Sequence, residues 1–345
     1  MDSKSFTWTS LPTRVLFGVD HLIVVAAEAE RLRMRRPMVV TGRHQTGLGG
    51  VVNAALGASH WDGARMHTPV ADTERALFFF NDRHSDGIVS IGGGSAIGLG
   101  KAIALRTDCP QICIPTSFSG SEMTNILGET TEAGKTTRRD AKIQPETVIY
   151  NPALLATMPD GFAATSGMNA MAHAVEGLYA VDGNPIVSLM AEEGIRALAS
   201  ALPKGKEGRD EAFYGAWLCG TVLGSVAMAL HHKLCHVLGG TFNLPHAETH
   251  SVILPHATRY NAIAAPLAMN RIARALGAED AAYGLFDLAQ SLGVRLSLRE
   301  LGMAEADLDH AADTAVANPY PNPRQLDRNA IRQLLDDAYH GRRPV

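Results

Sequence analysis

Cysteine is scarce. The 345-residue chain has four, Cys109, Cys113, Cys219 and Cys235, and no CxxC pair among them. That excludes a secreted disulfide scaffold and a cysteine-built structural zinc site, and it fits a reducing compartment. Net charge is nearly absent too, since 31 Lys and Arg against 35 Asp and Glu leave −4. Without a basic excess there is no electrostatic footprint for nucleic acid or an anionic membrane, so a small-molecule partner is the expectation. Aromatics are few at 6%, but 46% of residues are apolar and 19% charged, the composition of an ordinary globular protein. The N-terminal MDSKSFTWTS lacks the apolar run of a signal peptide and the arginine-rich pattern of an organelle address, and a cytoplasmic protein is expected. One stretch, residues 212–230, is uncharged over nineteen positions and nominally long enough to cross a bilayer. Its three glycines, Gly215, Gly220 and Gly224, and the His231, His232 and Lys233 that follow it predict a closely packed buried helix instead, with no membrane partner.

The length suggests two domains. Residues 1–152 alternate short β-branched runs with helical patterns, the rhythm of a parallel sheet with crossover helices. Strands are predicted at 14–17, 37–41, 87–91, 111–115 and 147–150, and helices at 20–32, 72–81 and 95–105. Residues 153–345 carry helical runs such as 166–179, 186–201 and 211–230, punctuated by prolines, and predict an all-helical domain.

The segment GIVSIGGGSAIGLGKAIAL sets Gly92, Gly93, Gly94 and Ser95 between a buried strand and a helix. Glycines there let backbone N–H groups approach a diphosphate, and the helix N-terminus adds partial positive charge. Ser95 is expected to cap that helix. PTSFSGSE at 115–122 follows the next strand and brings the hydroxyls of Thr116 and Ser117 as a second wall, because loops at strand carboxyl ends converge in this architecture. The loop Thr41-Gly42-Arg43-His44 lacks the acidic residue that would hold a ribose 2′-hydroxyl, which leaves NADH and NADPH both open.

Six of the fourteen histidines fall between 231 and 256. His232 and His236 share a helix face, as do Asn169 and His173 in GMNAMAHAVEG, and His246 follows Pro245 where it could close the same pocket. Apolar neighbours such as Met168, Met171, Leu234 and Leu238 imply burial, and buried imidazoles need partners, ligands or protons to handle. Three histidines suit zinc or ferrous iron, but Asn169 stands where a hard cation would profit from a carboxylate. His231, His250, His256, His310 and His340 are read as structural or surface residues, and Cys235 as a buried spectator.

Together these segments resemble the iron-containing alcohol dehydrogenase superfamily, which includes dehydroquinate synthase and glycerol dehydrogenase, and within it the maleylacetate reductases. The resemblance runs through SIGGGSAIGLGKAIAL, PTSFSGSEMTNILGETTEAGKTTRRDAKIQPETVIYNP, ATSGMNAMAHAVEGLYA, HHKLCHVLGGTFNLPHAETHSVILPHA and the NPYPNPR and GRRP tail. It implies a Rossmann-like α/β nucleotide domain, an all-α C-terminal domain of the dehydroquinate synthase type, and a homodimer. It further implies reduction of the enone C=C of maleylacetate, a dicarboxylate, to 3-oxoadipate with NADH or NADPH, in the breakdown of aromatic compounds. The metal-dependent relatives hold their ion through an aspartate and three histidines that map onto Asn169, His173, His232 and His246. Asn169 for aspartate is the maleylacetate reductase pattern, so no metal is expected. Protonated His246 or His236 is expected to take the metal's place, with His232 and His173 tuning them. Lys135 matches a family lysine near the cofactor, Lys101 another lysine of the pattern, and Gly98 replaces an aspartate. Arg324, Asn322 and Asn169 are assigned to the substrate, against the competing reading of Arg324 as a surface residue that packs the last helix. The alternatives are a metal-dependent alcohol or aldehyde dehydrogenase of the same fold, and a non-catalytic nucleotide-binding protein.

Overall fold

The computed structural model describes residues 5–132 and 134–345, with the side chain of Lys135 outside the described part. It divides into two compact units, Leu11–Thr157 and Met158–Val345, the latter joined by residues 5–10. The sequence pattern placed this boundary after residue 152.

In the first unit the strands are β1 (Arg14–Phe17), β2 (Pro37–Thr41), β3 (Ser59–Trp61), β4 (Gly87–Gly92), β5 (Gln111–Pro115), β6 (Ile126–Thr131), β7 (Gly134–Arg139) and β8 (Thr147–Tyr150). The helices are α1 (His21–Arg31), α2 (Thr46–Leu56), α3 (Val70–Asp82) and α4 (Gly94–Thr107). Six strands form one parallel sheet in the order β1-β8-β5-β4-β2-β3. β2, β4 and β5 are buried at every position, which is why they read as continuous apolar runs. Alternate residues feed opposite layers: Met38, Val40 and Ile88 pack on Ala76, Leu99 and Ile103, while Val39, Val89 and Ile91 pack on Val25, Ala29 and Val52. The helix after β2 therefore lies on one face and the helix after β4 on the other, and such a switch opens a crevice at the strand carboxyl ends.

All five predicted strands and three predicted helices are present. The sequence pattern missed α2, because Gly47, Gly49 and Gly50 interrupt its apolar period. Gly49 is there for contact, since a Cβ on it would lie 2.4 Å from Nε2 of His60. It also missed the three-residue edge strand β3 and the antiparallel hairpin β6–β7. The hairpin is anchored from below by Lys101, fully buried on α4, whose Nζ donates to the carbonyls of Ser121, of Thr124 at 2.6 Å and of Ile126 at 3.1 Å.

The second unit holds α5 (Asp160–Gly177), α6 (Pro185–Ala201), α7 (Arg209–Ser225), α8 (Leu230–Phe242), α9 (His246–Ala262), α10 (Pro266–Leu276), α11 (Ala281–Ser291), α12 (Leu308–Ala317) and α13 (Arg328–His340). Every residue of α5 from Ala163 to Gly177 is buried, so this helix is the axis of the unit. The single helix predicted over 211–230 is instead broken. α7 stops at Ser225, Val226 is extended, and α8 starts afresh at Leu230. The break is held by distant carboxylates, Asp182 accepting from the N–H of Ala227 at 3.0 Å and Glu176 from that of Ala229 at 2.9 Å. Among the described residues no single helix is long and apolar enough to cross a membrane.

Candidate active site

The glycine-rich loop lies where β4 ends and α4 begins. Gly92 has φ of +144°, a conformation side chains resist. Gly93 is the extended N-cap of α4, and α4 has no side-chain cap. Ser95 is thus inside the first helical turn and does not cap it, contrary to the sequence reading. The first-turn N–H groups at Gly94 and Ser95 have no carbonyl one turn earlier, and the dipole there favours an anion. β4 and β5 are paired with Gly92 opposite Pro115, and the N–H of Thr116 donates to Gly92 O at 3.0 Å. Ser117 comes closer still: a Cβ on Gly93 would sit 2.8 Å from its Oγ. The two predicted walls, Gly92–Gly93–Gly94–Ser95 and Thr116–Ser117, do adjoin, with a cradle that any side chain at Gly93 would fill. That geometry fits a dinucleotide diphosphate. Gly98, one turn on, faces Thr68, whose Oγ1 would lie 2.6 Å from an added Cβ. An aspartate has no room there. Lys135 lies on β7 opposite Thr130, with its side chain outside the described part.

The histidines gather in the helical unit. α5 presents Asn169, His173 and Glu176 at i, i+4 and i+7, one face of the helix. Against it α8 brings His231, His232 and His236, and α9 brings His246 and His250. The ring of His173 stacks on His232 with centroids 5.1 Å apart, and His232 meets His231, His236 and His250 edge-on at 5.1, 6.3 and 5.0 Å. His250 touches His246 at 4.4 Å and His231 at 4.8 Å. The cluster has a buried interior of His173, His231, His232 and His250 and an exposed rim of His236 and His246. His231 and His250, set aside from sequence, are thus inside the cluster, and their rings share a 2.9 Å N···N hydrogen bond. Burial, reinforced by neighbouring imidazoles, holds His173, His231 and His250 well below the usual histidine range and so neutral.

Asn169 Oδ1, His173 Nδ1, His232 Nε2 and His250 Nε2 are buried without a hydrogen-bond partner among the described residues. Unmet polar atoms gathered this way mark a place where a ligand would bind. Sequence reasoning missed Glu176, although its spacing from Asn169 and His173 was the available signal. Its fully buried carboxylate accepts from the N–H of His231 at 2.8 Å, that of Ala229 at 2.9 Å and Nδ1 of His232 at 2.7 Å.

The tail residues are placed differently. Asn322 forms a reciprocal amide pair with Asn261 at 2.8 and 3.1 Å, donates to Arg324 O at 2.7 Å and accepts from Leu230 N at 3.3 Å. Both polar atoms of its side chain are engaged in fastening the tail to α8 and α9. Arg324 lies over the Tyr260 ring at 4.2 Å and donates to Tyr260 O at 3.2 Å.

Two family models match the chain, the iron-containing alcohol dehydrogenase model over residues 12–152 and the C-terminal model of that family over 163–339. The chain belongs to the iron-containing alcohol dehydrogenase family. Members are NAD(P)-dependent oxidoreductases. Within the family, it is 49% identical over 340 residues to the maleylacetate reductase of Pseudomonas knackmussii, covering 96% of this chain and 97% of the relative. Crystal structures of maleylacetate reductase from Rhizobium sp. strain MTP-10005 and from Agrobacterium tumefaciens superpose with TM-scores of 0.95 each, at 49% and 48% identity, over 99% of this chain and 100% of each relative.

The family name implies iron, and the donor set here lacks the anionic ligand that the aspartate position would supply. Three imidazoles and a neutral amide offer a hard divalent ion no anionic oxygen, and the one buried carboxylate nearby, Glu176, is turned to the α8 terminus. Among the described residues the trio of donors lying within 4.8 Å of one another is His231, Cys235 and His250, whose facing nitrogens already bond each other.

Proposed function

We propose that this member of the family is a metal-independent maleylacetate reductase. The observation that carries the reading is the pairing of a full-length match at 49% identity to maleylacetate reductases with an imidazole cluster in which Asn169 replaces the metal-binding aspartate. The glycine loop with Thr116 and Ser117 holds the diphosphate of NADH or NADPH, and Lys135 contributes near the cofactor. When bound, the cofactor supplies hydride to the carbon β to the substrate's ketone. His236 or His246, on the exposed rim, then places an imidazolium N–H on the ketone oxygen as negative charge builds there, the part a metal plays elsewhere. A proton passes to the adjacent carbon, giving 3-oxoadipate. His232 and His173 stand behind the rim and orient it. Arg324 is the cationic partner for a substrate carboxylate, and Asn169 contributes its unpartnered Oδ1 to the pocket. A cytoplasmic homodimer is the accompanying expectation.

The test is direct. Metal-stripped protein is mixed with NADH and maleylacetate and the reduced cofactor's absorbance is followed. Loss of that absorbance with formation of 3-oxoadipate supports the reading; a rate that appears only after iron or zinc is added supports the metal-dependent alternative and overturns this one.

A further inference from the structure

We infer that Glu176 is a positioning residue for this reaction: its carboxylate fixes the His232 proton on Nδ1 and so makes Nε2 the nitrogen through which that ring exchanges a proton with the pocket. The inference rests on the histidine cluster being the reaction site. A carboxylate can only accept, so the 2.7 Å contact between Glu176 Oε2 and His232 Nδ1 requires Nδ1 to carry hydrogen. In the neutral ring Nε2 is then bare; in the protonated ring Nε2 carries the second proton and is the one able to release it. Either way, the transferable proton is on the nitrogen that has no partner within the described protein, as Asn169 Oδ1 and His250 Nε2 of the same buried cluster also have none.

The carboxylate cannot turn away to release this arrangement. Oε1 accepts from His231 N and Oε2 from Ala229 N, so Glu176 is held by the first N–H groups of α8 while it holds the ring that α8 carries. Helix start and ring orientation are set by one group with no solvent contact. The neighbouring imidazoles do not compete for Nδ1, because His231 and His250 bond each other. A residue that merely capped α8 would need only the two backbone contacts; the third, to a side chain whose other nitrogen faces the pocket, is what gives Glu176 a share in the chemistry.

The experiment combines nitrogen-15 NMR of histidine side chains with steady-state kinetics on the intact protein and on Glu176→Gln, using a His232→Gln spectrum to assign the His232 signals. The wild type is expected to show hydrogen on His232 Nδ1 throughout. Glutamine keeps the shape of the side chain but can direct an NH2 at Nδ1, so Glu176→Gln is expected to shift hydrogen from Nδ1 to Nε2. It should also lower kcat about 10²- to 10⁴-fold, as misplacing an acid–base group does, with KM for NADH unchanged. A bare His232 Nδ1 in the wild type overturns the inference without recourse to any variant. A Glu176→Gln protein that melts lower but retains kcat and Nδ1–H also overturns it, leaving a helix cap alone. If the wild type does not reduce maleylacetate, the proposed function fails, and the spectra still report whether Glu176 fixes the ring.

Discussion

At the residue scale the exposed rim and the buried interior of the cluster have different duties. His236 and His246 are the exposed rings of the cluster, and in the proposed reaction loss of one such donor costs about 2.7 to 4 kcal/mol of barrier. His236→Ala or His246→Ala is therefore expected to lower turnover about a hundredfold or more with cofactor affinity intact, as measured by kcat and by NADH titration. If both keep near-normal rates, the oxyanion role belongs elsewhere. Asp72 shows the same chemistry used for stability. Its buried carboxylate takes a 2.6 Å bond from Arg65 and another from Arg75, and the Arg65 hydrogen bonds first, with Arg75 adding, hold it below the usual carboxylate range. A folded-state pKa below the unfolded value means stability that is present above the unfolded pKa of about 3.9 and lost as pH falls through the folded one. Urea titrations should show Asp72→Asn less stable than wild type at pH 7, with the gap closing as pH falls below about 4. A gap that is the same at both pH values would assign the loss to packing.

At the scale of elements, the helices start where side chains take their orphan N–H groups, and the source of the cap decides whether sequence can reveal it. Asn184 caps α6 locally, accepting from Ile186 N and Val187 N at 3.1 Å each, with Pro185 at the first turn. Asn184→Ala should cost about 1 kcal/mol, read as a lower melting temperature with unchanged turnover; an unchanged melting curve would show that the prolyl start alone holds α6. α8 has no local cap. Its first N–H groups go to Glu176, to Asn322 and, through the preceding break, to Asp182. That is why residues 211–230 read as one helix: the carboxylates that break it come from distant positions in the chain. α2 was illegible for a related reason, since one of its glycines, Gly49, answers to the close approach of His60 and not to helix propensity.

For the whole molecule, removing metal is the decisive perturbation. A donor set without an anion predicts that dialysis against a strong chelator leaves the rate of maleylacetate reduction unchanged, checked by activity beside elemental analysis; inactivation reversed by added iron or zinc would contradict it. The positions of five parallel strands, the glycine loop, the helical character of the second half and the histidine-rich faces were legible in the sequence, because each follows from local periodicity or from short motifs whose residues act together. Family membership followed from the same motifs. Only tertiary structure decided that Glu176 stands behind His232, that His231 and His250 lie inside the cluster, and that Asn322 fastens the tail with its whole amide. Those are contacts between residues far apart in the chain, and one-dimensional spacing carries no distance between separate helices. A helix face announces which residues it will bury. What it buries them against depends on the packing of the other helices.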